Sequence, residues 1–377
     1  MIELDGFTEP FYITRPLLPE LDETFKMIEE IWQSNHLSNN GKMVKQLESE
    51  LADFLGINYL SVFANGTVAL QIACKALRLS GEVITTPFTF AATSNCLNWN
   101  KLQPVFCDIE EDTFNINPDL IESFITEKTS AILPVHVFGN PCNVEIIQQI
   151  ADKYGLKVLY DAAHAFGVKI NDKPIAAFGD ISMFSFHATK IFHTIEGGAL
   201  TLNNSSLKER VDLLKNFGLK SDNTIVEPGT NGKLNEVQAG IGILLLKKIQ
   251  EEIRMRKAIT NLYRQLLADV PGVKLIHDVK GVTHNYSYFV IRVEQEEYGL
   301  SRDELYKALL EFNIISRKYF FPLCSDFQCY KNLISSSKLN LPVANRVAES
   351  VLSLPLHGRM SNNDVQKICR IIQQLRK

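Results

Sequence analysis

The chain has 377 residues, 45% of them hydrophobic and 22% charged, ordinary proportions for a folded protein and length enough for two domains of about 100–200 residues. Its 43 acidic and 39 basic side chains leave a net charge of −4, with no cationic excess to neutralise a nucleic-acid backbone. Seven scattered cysteines form no CxxC pair, no apolar run nears the ~20 residues of a membrane span, and the opening Met-Ile-Glu-Leu-Asp-Gly has no signal-peptide pattern, so a reduced, cytoplasmic protein without metal or disulfide framework is expected.

Residues 1–19 show no strong pattern and read as an N-terminal arm, open to packing on either domain. From about residue 58 to 202, short β-rich runs alternate with helical stretches. Tyr59–Phe63 predicts a strand and Thr67–Leu79 a helix. Glu82–Thr86, Pro104–Cys107, Ser130–Pro134, Lys157–Tyr160 and Ile181–Phe186 predict further buried strands, and Val144–Tyr154 another helix. This alternation implies an α/β domain, residues 20–245, with a large, mostly parallel sheet covered on both faces and ligands at the carboxyl ends of its strands. Leu244–Leu267, with Ile249, Ile253, Ile259 and Leu262 among charges, predicts one long linking helix. Tyr288–Val293, a helix near Arg302–Glu311 and a last helix Asn363–Arg376 suit a smaller α+β domain, residues 246–377.

Phe63-Ala-Asn-Gly-Thr-Val-Ala-Leu70 reads as a strand, a small-residue turn and a helix start. Backbone N–H groups at a helix N-terminus cradle anions and Gly66 lets one approach, although an Asn-Gly turn or a Thr67 cap would look alike. Asp161-Ala-Ala-His164 follows one apolar strand. Ser185-Phe-His-Ala-Thr-Lys190 follows another and leads into Glu196-Gly-Gly198. Taken singly, such an aspartate is often a helix cap and such a lysine a solvated one. Taken together, they suit pyridoxal phosphate. The lysine forms a Schiff base with the aldehyde, and the carboxylate keeps the ring nitrogen protonated. Phe184, Phe186, Ile191 and Phe192 are expected to desolvate Lys190 and favour its neutral form. His187 and His193 flank the lysine without an assigned catalytic role, and His136 is open to a core role.

These segments, with Thr86-Pro-Phe-Thr-Phe-Ala-Ala-Thr93 between them, resemble in spelling and order the DegT/DnrJ/StrS family. The likeness runs from Leu37-Ser-Asn-Asn-Gly41 to Leu352-Ser-Leu-Pro-Leu-His357. It implies a pyridoxal phosphate-dependent aminotransferase acting on nucleotide-linked keto-sugars, with the fold type I architecture of aspartate aminotransferase. Carried across, Lys190 holds the cofactor and moves protons, and Asp161 pairs with the ring nitrogen. His164, often Gln in relatives, bonds the phenolic oxygen. Phe90 stacks on the ring, while Gly66, Thr67 and Ser185 hold the phosphate. Asn231, in Gly229-Thr-Asn-Gly-Lys-Leu-Asn-Glu236, resembles an asparagine supplied by the other subunit, which implies a homodimer with shared sites. The usual serine before Gly-Thr is Asn65 here, which leaves the backbone cradle intact.

On the substrate side, Ile315-Ser-Arg-Lys-Tyr-Phe-Phe-Pro322 gathers two cations and three aromatics, suited to a sugar nucleotide diphosphate. Arg317, Lys318 and Tyr319 are therefore candidates. So is His357, for which a structural role is equally open. Relatives often carry histidine where this chain has Cys324. The spellings look most like members that pass nitrogen from glutamate to a dTDP-linked 4-keto-6-deoxyhexose. Amination at C3 and a non-catalytic, pyridoxal phosphate-binding regulatory role are the alternatives. The intact Lys190, Asp161 and Ser185, and the lack of a helix-turn-helix-like basic segment, weigh against the regulator.

Overall fold

The computed structural model describes residues 5–221 and 223–377. Seven strands build its main sheet: β1 (Tyr59–Phe63), β2 (Glu82–Thr85), β3 (Gln103–Phe106), β4 (Thr129–Leu133), β5 (Lys157–Asp161), β6 (Ile181–Ser185) and β7 (Gly198–Leu202). They lie in the order β1-β7-β6-β5-β4-β2-β3. Neighbours from β6 to β3 pair parallel, and β7 runs antiparallel to both β1 and β6. Alternation along the strands sorts side chains to two cores. Val62, Ile84, Ile132, Val158 and Phe184 meet helices Lys42–Leu55, Val144–Tyr154 and Glu236–Leu246, while their neighbours Phe63, Val83, Ala131, Leu159 and Met183 meet helices Gly66–Ala76 and Ala91–Trp99. Both faces are thus dry, which is why the strands read as continuous apolar runs.

A second, antiparallel sheet of β8 (Val273–Leu275), β9 (Phe289–Val293) and β10 (Val351–Leu354) has β9 at its centre. Helices Ile249–Leu267, Arg302–Glu311 and Asn362–Leu375 cover it through residues such as Tyr263, Leu305 and Ile368. A cluster of Phe88, Phe114 and Phe138 with Phe320, Leu323 and Leu341 joins this part to the main sheet. The arm touches both. Phe11 pairs with Ile314 as an isolated bridge and Ile13 O accepts from Leu356 N, whereas Leu17 O meets His193 Nε2 at 2.8 Å. Among the described residues no helix is long and apolar enough to cross a membrane.

The single helix expected over Leu244–Leu267 is instead two, Glu236–Leu246 and Ile249–Leu267. The first is buried almost all round, with Ala239 through Leu245 inside, and the second is amphipathic. The turn at Lys247-Lys248, closed by Lys248 N–H on Leu245 O, lets the chain leave the core and run along the surface. No glycine or proline marks it, so the residue pattern hid it.

Two of the motif segments prove to be one structural unit. Glu236, 2% exposed, accepts from Gly41 N at 3.0 Å and Met43 N at 2.7 Å, so its carboxylate caps the Lys42–Leu55 helix from 195 positions away. The Gly41 N-cap position has no side chain to do this. Truncation should strand two buried N–H groups. We expect Glu236→Ala to lose about 1–3 kcal/mol in urea unfolding, with an unchanged midpoint arguing that water replaces the cap.

Candidate active site

A cavity of about 280 Å³ opens beyond the carboxyl ends of the parallel strands, walled by the turns that follow β1, β2, β5 and β6. Gly66, Thr67, Phe90, Asp161, His164, Ser185 and Lys190 all lie in its wall, drawn together from 125 positions of sequence by the strand order alone. This is where a parallel sheet presents the free ends of its strands, and where its helices begin.

At one end stands the start of the Gly66–Ala76 helix. Its cap is Asn65, whose side chain accepts from Val68 N at 2.9 Å, and not Thr67. The Gly66 and Thr67 N–H groups therefore stand at the cavity wall, where an anion gains both hydrogen bonds and the helix field. Ser185, the last residue of β6, faces them. A Cβ at position 66 would press on Met183 Sδ at 3.1 Å and Ser185 Cβ at 3.3 Å, and one at Gly198 would strike Gly66 N at 2.7 Å. A Cβ at Gly197 would strike Thr194 Oγ1 at 1.9 Å, so close approach accounts for both members of the Gly-Gly pair after Glu196, while Gly66 is tightly fitted.

Asp161, 4% exposed, ends β5. Thr93 Oγ1 donates to its Oδ2 at 2.7 Å and Ala163 N to its Oδ1 at 3.1 Å. Burial nevertheless raises the carboxyl above its ordinary range, against the pull of those hydrogen bonds and of Lys190. A cation set against it would restore the charged form. His164 is held well below the usual imidazole range by burial and by Lys190, so it is neutral. Its Nδ1 accepts from Phe138 N at 3.2 Å, which leaves the proton on Nε2. Asp161 thus offers an acceptor and His164 a neutral donor.

Lys190 Nζ donates to Tyr288 Oη at 3.1 Å. The aromatic residues around it in sequence do not desolvate it. Phe186 and Phe192 turn into the core against Phe166, with ring centroids 5.7 and 4.6 Å from it, and Phe184 joins them there. They anchor the loop, while the amine emerges into the cavity. His187 Nε2 and Glu196 Oε1 stand 3.5 Å apart in the same wall. His193 is spent on Leu17 O and Ile195 N. His136 is stacked on Tyr160 at 4.6 Å, and burial lowers its pKa to about 3, a core role.

The substrate candidates divide. Tyr319 and Phe320 reach the cavity. Lys318 turns away to Asp303 at 3.2 Å and lies over the Tyr306 and Phe321 rings, and exposed Arg317 lies outside the wall as well. His357 also fails to reach it. It is buried beneath the arm, 5.8 Å from the Phe11 ring, and burial with nearby Arg256 and Arg15 lowers its pKa to about 4. Cys324 donates its thiol to Thr89 O at 3.3 Å. Asn231 is exposed and does not line its own chain's cavity. Tyr288, Thr93 and Glu196 are the residues that sequence reasoning left without a role. Thr93 and Glu196 sat inside motifs, but Tyr288, 98 positions beyond Lys190, carried no signal.

The cavity fits pyridoxal phosphate on these observations: an acceptor needing a cation, a neutral donor, a lysine and an anion cradle pressed against glycine. Likeness to known proteins agrees. Residues 20–373 match the DegT/DnrJ/EryC1/StrS aminotransferase family. A dTDP-4-amino-4,6-dideoxy-D-glucose transaminase of Escherichia coli is 46% identical over 96% of this chain and 97% of its own length, and one of Shigella dysenteriae is 45% identical over 98% and 100%. The crystal structure of DesI in the presence of its TDP-sugar product superposes with a TM-score of 0.93 at 32% identity, over 98% of this chain and 94% of that one. With nearly every residue of the chain accounted for, it belongs to the DegT/DnrJ/EryC1/StrS family of pyridoxal phosphate-dependent aminotransferases.

Proposed function

We propose that this aminotransferase takes nitrogen from L-glutamate and passes it to a dTDP-linked 4-keto-6-deoxyhexose, giving dTDP-4-amino-4,6-dideoxyglucose and 2-oxoglutarate. The observation that carries the reading is the meeting of Lys190, Asp161 and the Gly66 cradle around one cavity. The choice of sugar rests on the two transaminases that share 45–46% of its residues. Residues 20–245 form the large domain and 246–377 the small one, a division that the separate cores around Val62 and Tyr263 support. Seven free thiols suit work in the reducing cytoplasm.

When bound, pyridoxal phosphate supplies an electron-withdrawing ring that makes hydrogen on the adjoining carbon acidic. The chain does the rest. Gly66, Thr67 and Ser185 would hold the phosphate, Phe90 would cover a ring face, and His164 Nε2–H would donate to the phenolic oxygen. Asp161 would accept from the protonated ring nitrogen, a cation that would favour its charged form. Lys190 would hold the aldehyde carbon and, once an incoming amine displaces it from that carbon and frees its lone pair, would take a proton from one carbon and return it to another in both half-reactions. Tyr319 would face the nucleotide sugar from the cavity wall, whereas Arg317 stands outside that wall, and Arg317→Ala tests whether it bears on substrate binding at all.

The active unit is a homodimer in which Asn231 serves the other subunit's phosphate. Two observations support this. Asn231 stands apart from its own cavity, and helix Leu21–Ser34 carries an exposed apolar stripe of Leu21, Phe25 and Trp32, 60–72% accessible, that a second copy would cover.

Borohydride reduction and peptide mapping should place the phosphopyridoxyl group on Lys190. Asp161→Ala should keep part of its cofactor and lose turnover roughly 100-fold or more, the loss of a buried charge partner. A label elsewhere would remove Lys190 from the mechanism. Mixing and reassociating Lys190→Ala with Asn231→Asp, each inactive alone, should restore activity. No recovery means that Asn231 does not act across the interface. Glutamate and the keto-sugar nucleotide should yield a product with nitrogen on C4 by NMR, and nitrogen on C3 overturns the choice of sugar while leaving the aminotransferase intact.

A further inference from the structure

The oxygen of Tyr288 is the protein atom that the Lys190 amine meets, 3.1 Å away, with the ring centroid 5.7 Å from Nζ. That ring is boxed in. It packs edge-on to His164 at 4.9 Å and 67°, tilts against Phe138 at 5.4 Å, and meets Tyr319 edge-on at 6.0 Å. The residues just before it are tied to the turn after β5. Asn285 Nδ2 donates to His164 O at 2.8 Å and Phe166 O at 3.0 Å, and Ser287 Oγ donates to His164 O at 3.0 Å. The same backbone turn carries Asp161 and His164. The Tyr288 oxygen is therefore fixed relative to the residues that would grip the cofactor ring, while the lysine stem has four rotatable carbons.

We propose that Tyr288 is a catalytic residue, whose phenolic oxygen accepts an N–H of Lys190 whenever that amine is not bonded to the cofactor and so aims its lone pair at the reacting carbon. This rests on the reading of Lys190 given above. A neutral amine has two N–H groups and one lone pair, and anchoring one N–H fixes rotation about the Cε–Nζ bond. The lone pair takes the proton from one carbon, the resulting ammonium keeps its bond to the phenol, and the same proton is then delivered to the second carbon. Tyr288 keeps its own proton, and no bond to it forms or breaks. An untethered amine would sample rotamers that point elsewhere, and misplacement of about 1 Å costs rate steeply.

Tyr288→Phe removes the oxygen and keeps the ring contacts. Cofactor-free protein mixed with pyridoxal phosphate can be followed by absorbance and by borohydride trapping with peptide mapping, a readout independent of turnover. Single-turnover measurements time the glutamate and keto-sugar halves separately. The expected result is covalent capture at Lys190 slowed about 10-fold, both half-reactions slowed about 10- to 100-fold, and KM values within about twofold of the parent. Final occupancy and melting temperature should match the parent protein. Parental rates in all three measurements overturn the proposal. So does slowing confined to one half-reaction, which would make Tyr288 a contact for that substrate alone, and so does a fall in melting temperature with full rates at saturating cofactor, which would make it packing. If the parent protein itself traps nothing at Lys190, the reading of the lysine falls and this proposal with it. Normal trapping beside unaltered Tyr288→Phe rates refutes the proposal alone.

Discussion

A carboxylate buried at the end of a strand is expensive to keep, and the architecture around Asp161 is organised by that cost. Removing a charge from water is tolerated only when hydrogen bonds and an opposite charge replace the lost solvation. The protein supplies two donors, Thr93 Oγ1 and Ala163 N, and a more distant cation in Lys190. Burial still outweighs them. The remainder has to come from what the cavity holds, so the site suits a cationic group, which the pairing of Asp161 with a ring nitrogen proposed above would supply. Cofactor affinity and carboxylate ionisation are two faces of one equilibrium.

The same constraint explains the polar chain that runs outward from it. Thr93 Oγ1 is in hydrogen-bond contact with Thr89 Oγ1 at 2.8 Å, Thr89 O accepts the Cys324 thiol, and Cys324 N donates to Pro87 O at 2.9 Å. A loop of the small sheet's side is thereby linked, through Thr89, to the Thr93 hydroxyl that donates to Asp161. Cys324 is a weak, buried donor that fits between Thr89 and the Phe88–Phe320 cluster. Cys324 thus serves a contact between the two parts of the molecule and does not line the cavity.

Strands and the turns that line the cavity were legible in the sequence because each is a local matter. Val83-Ile84, Leu159-Tyr160 and Met183-Phe184 alternate between two apolar cores, and Gly66, Asp161 and Lys190 follow such runs within a few residues. The substrate side was less legible. The Arg317–Tyr319 run looks like one cluster, but the backbone pairing of Arg317 with Ser353 sends Tyr319 to the cavity and Lys318 to Asp303. Cations adjacent in sequence need not share a face. Tyr288 was silent for the opposite reason: it belongs to a strand start with its own packing pattern, and only the docking of Asn285 and Ser287 on the β5 turn brings it to the lysine.

His164 and His136 show how far burial alone decides chemistry. Both lose their charge to desolvation and both accept a backbone N–H at Nδ1, from Phe138 and from Cys142. Each is therefore a neutral imidazole with its proton on Nε2. For His136 that proton meets no partner, with the ring sealed against Tyr160. For His164 it faces the cavity. A glutamine amide would present the same thing there, one neutral N–H of similar reach. The position asks for a donor that never ionises, and the protein makes histidine into one by drying it and fixing its tautomer from behind.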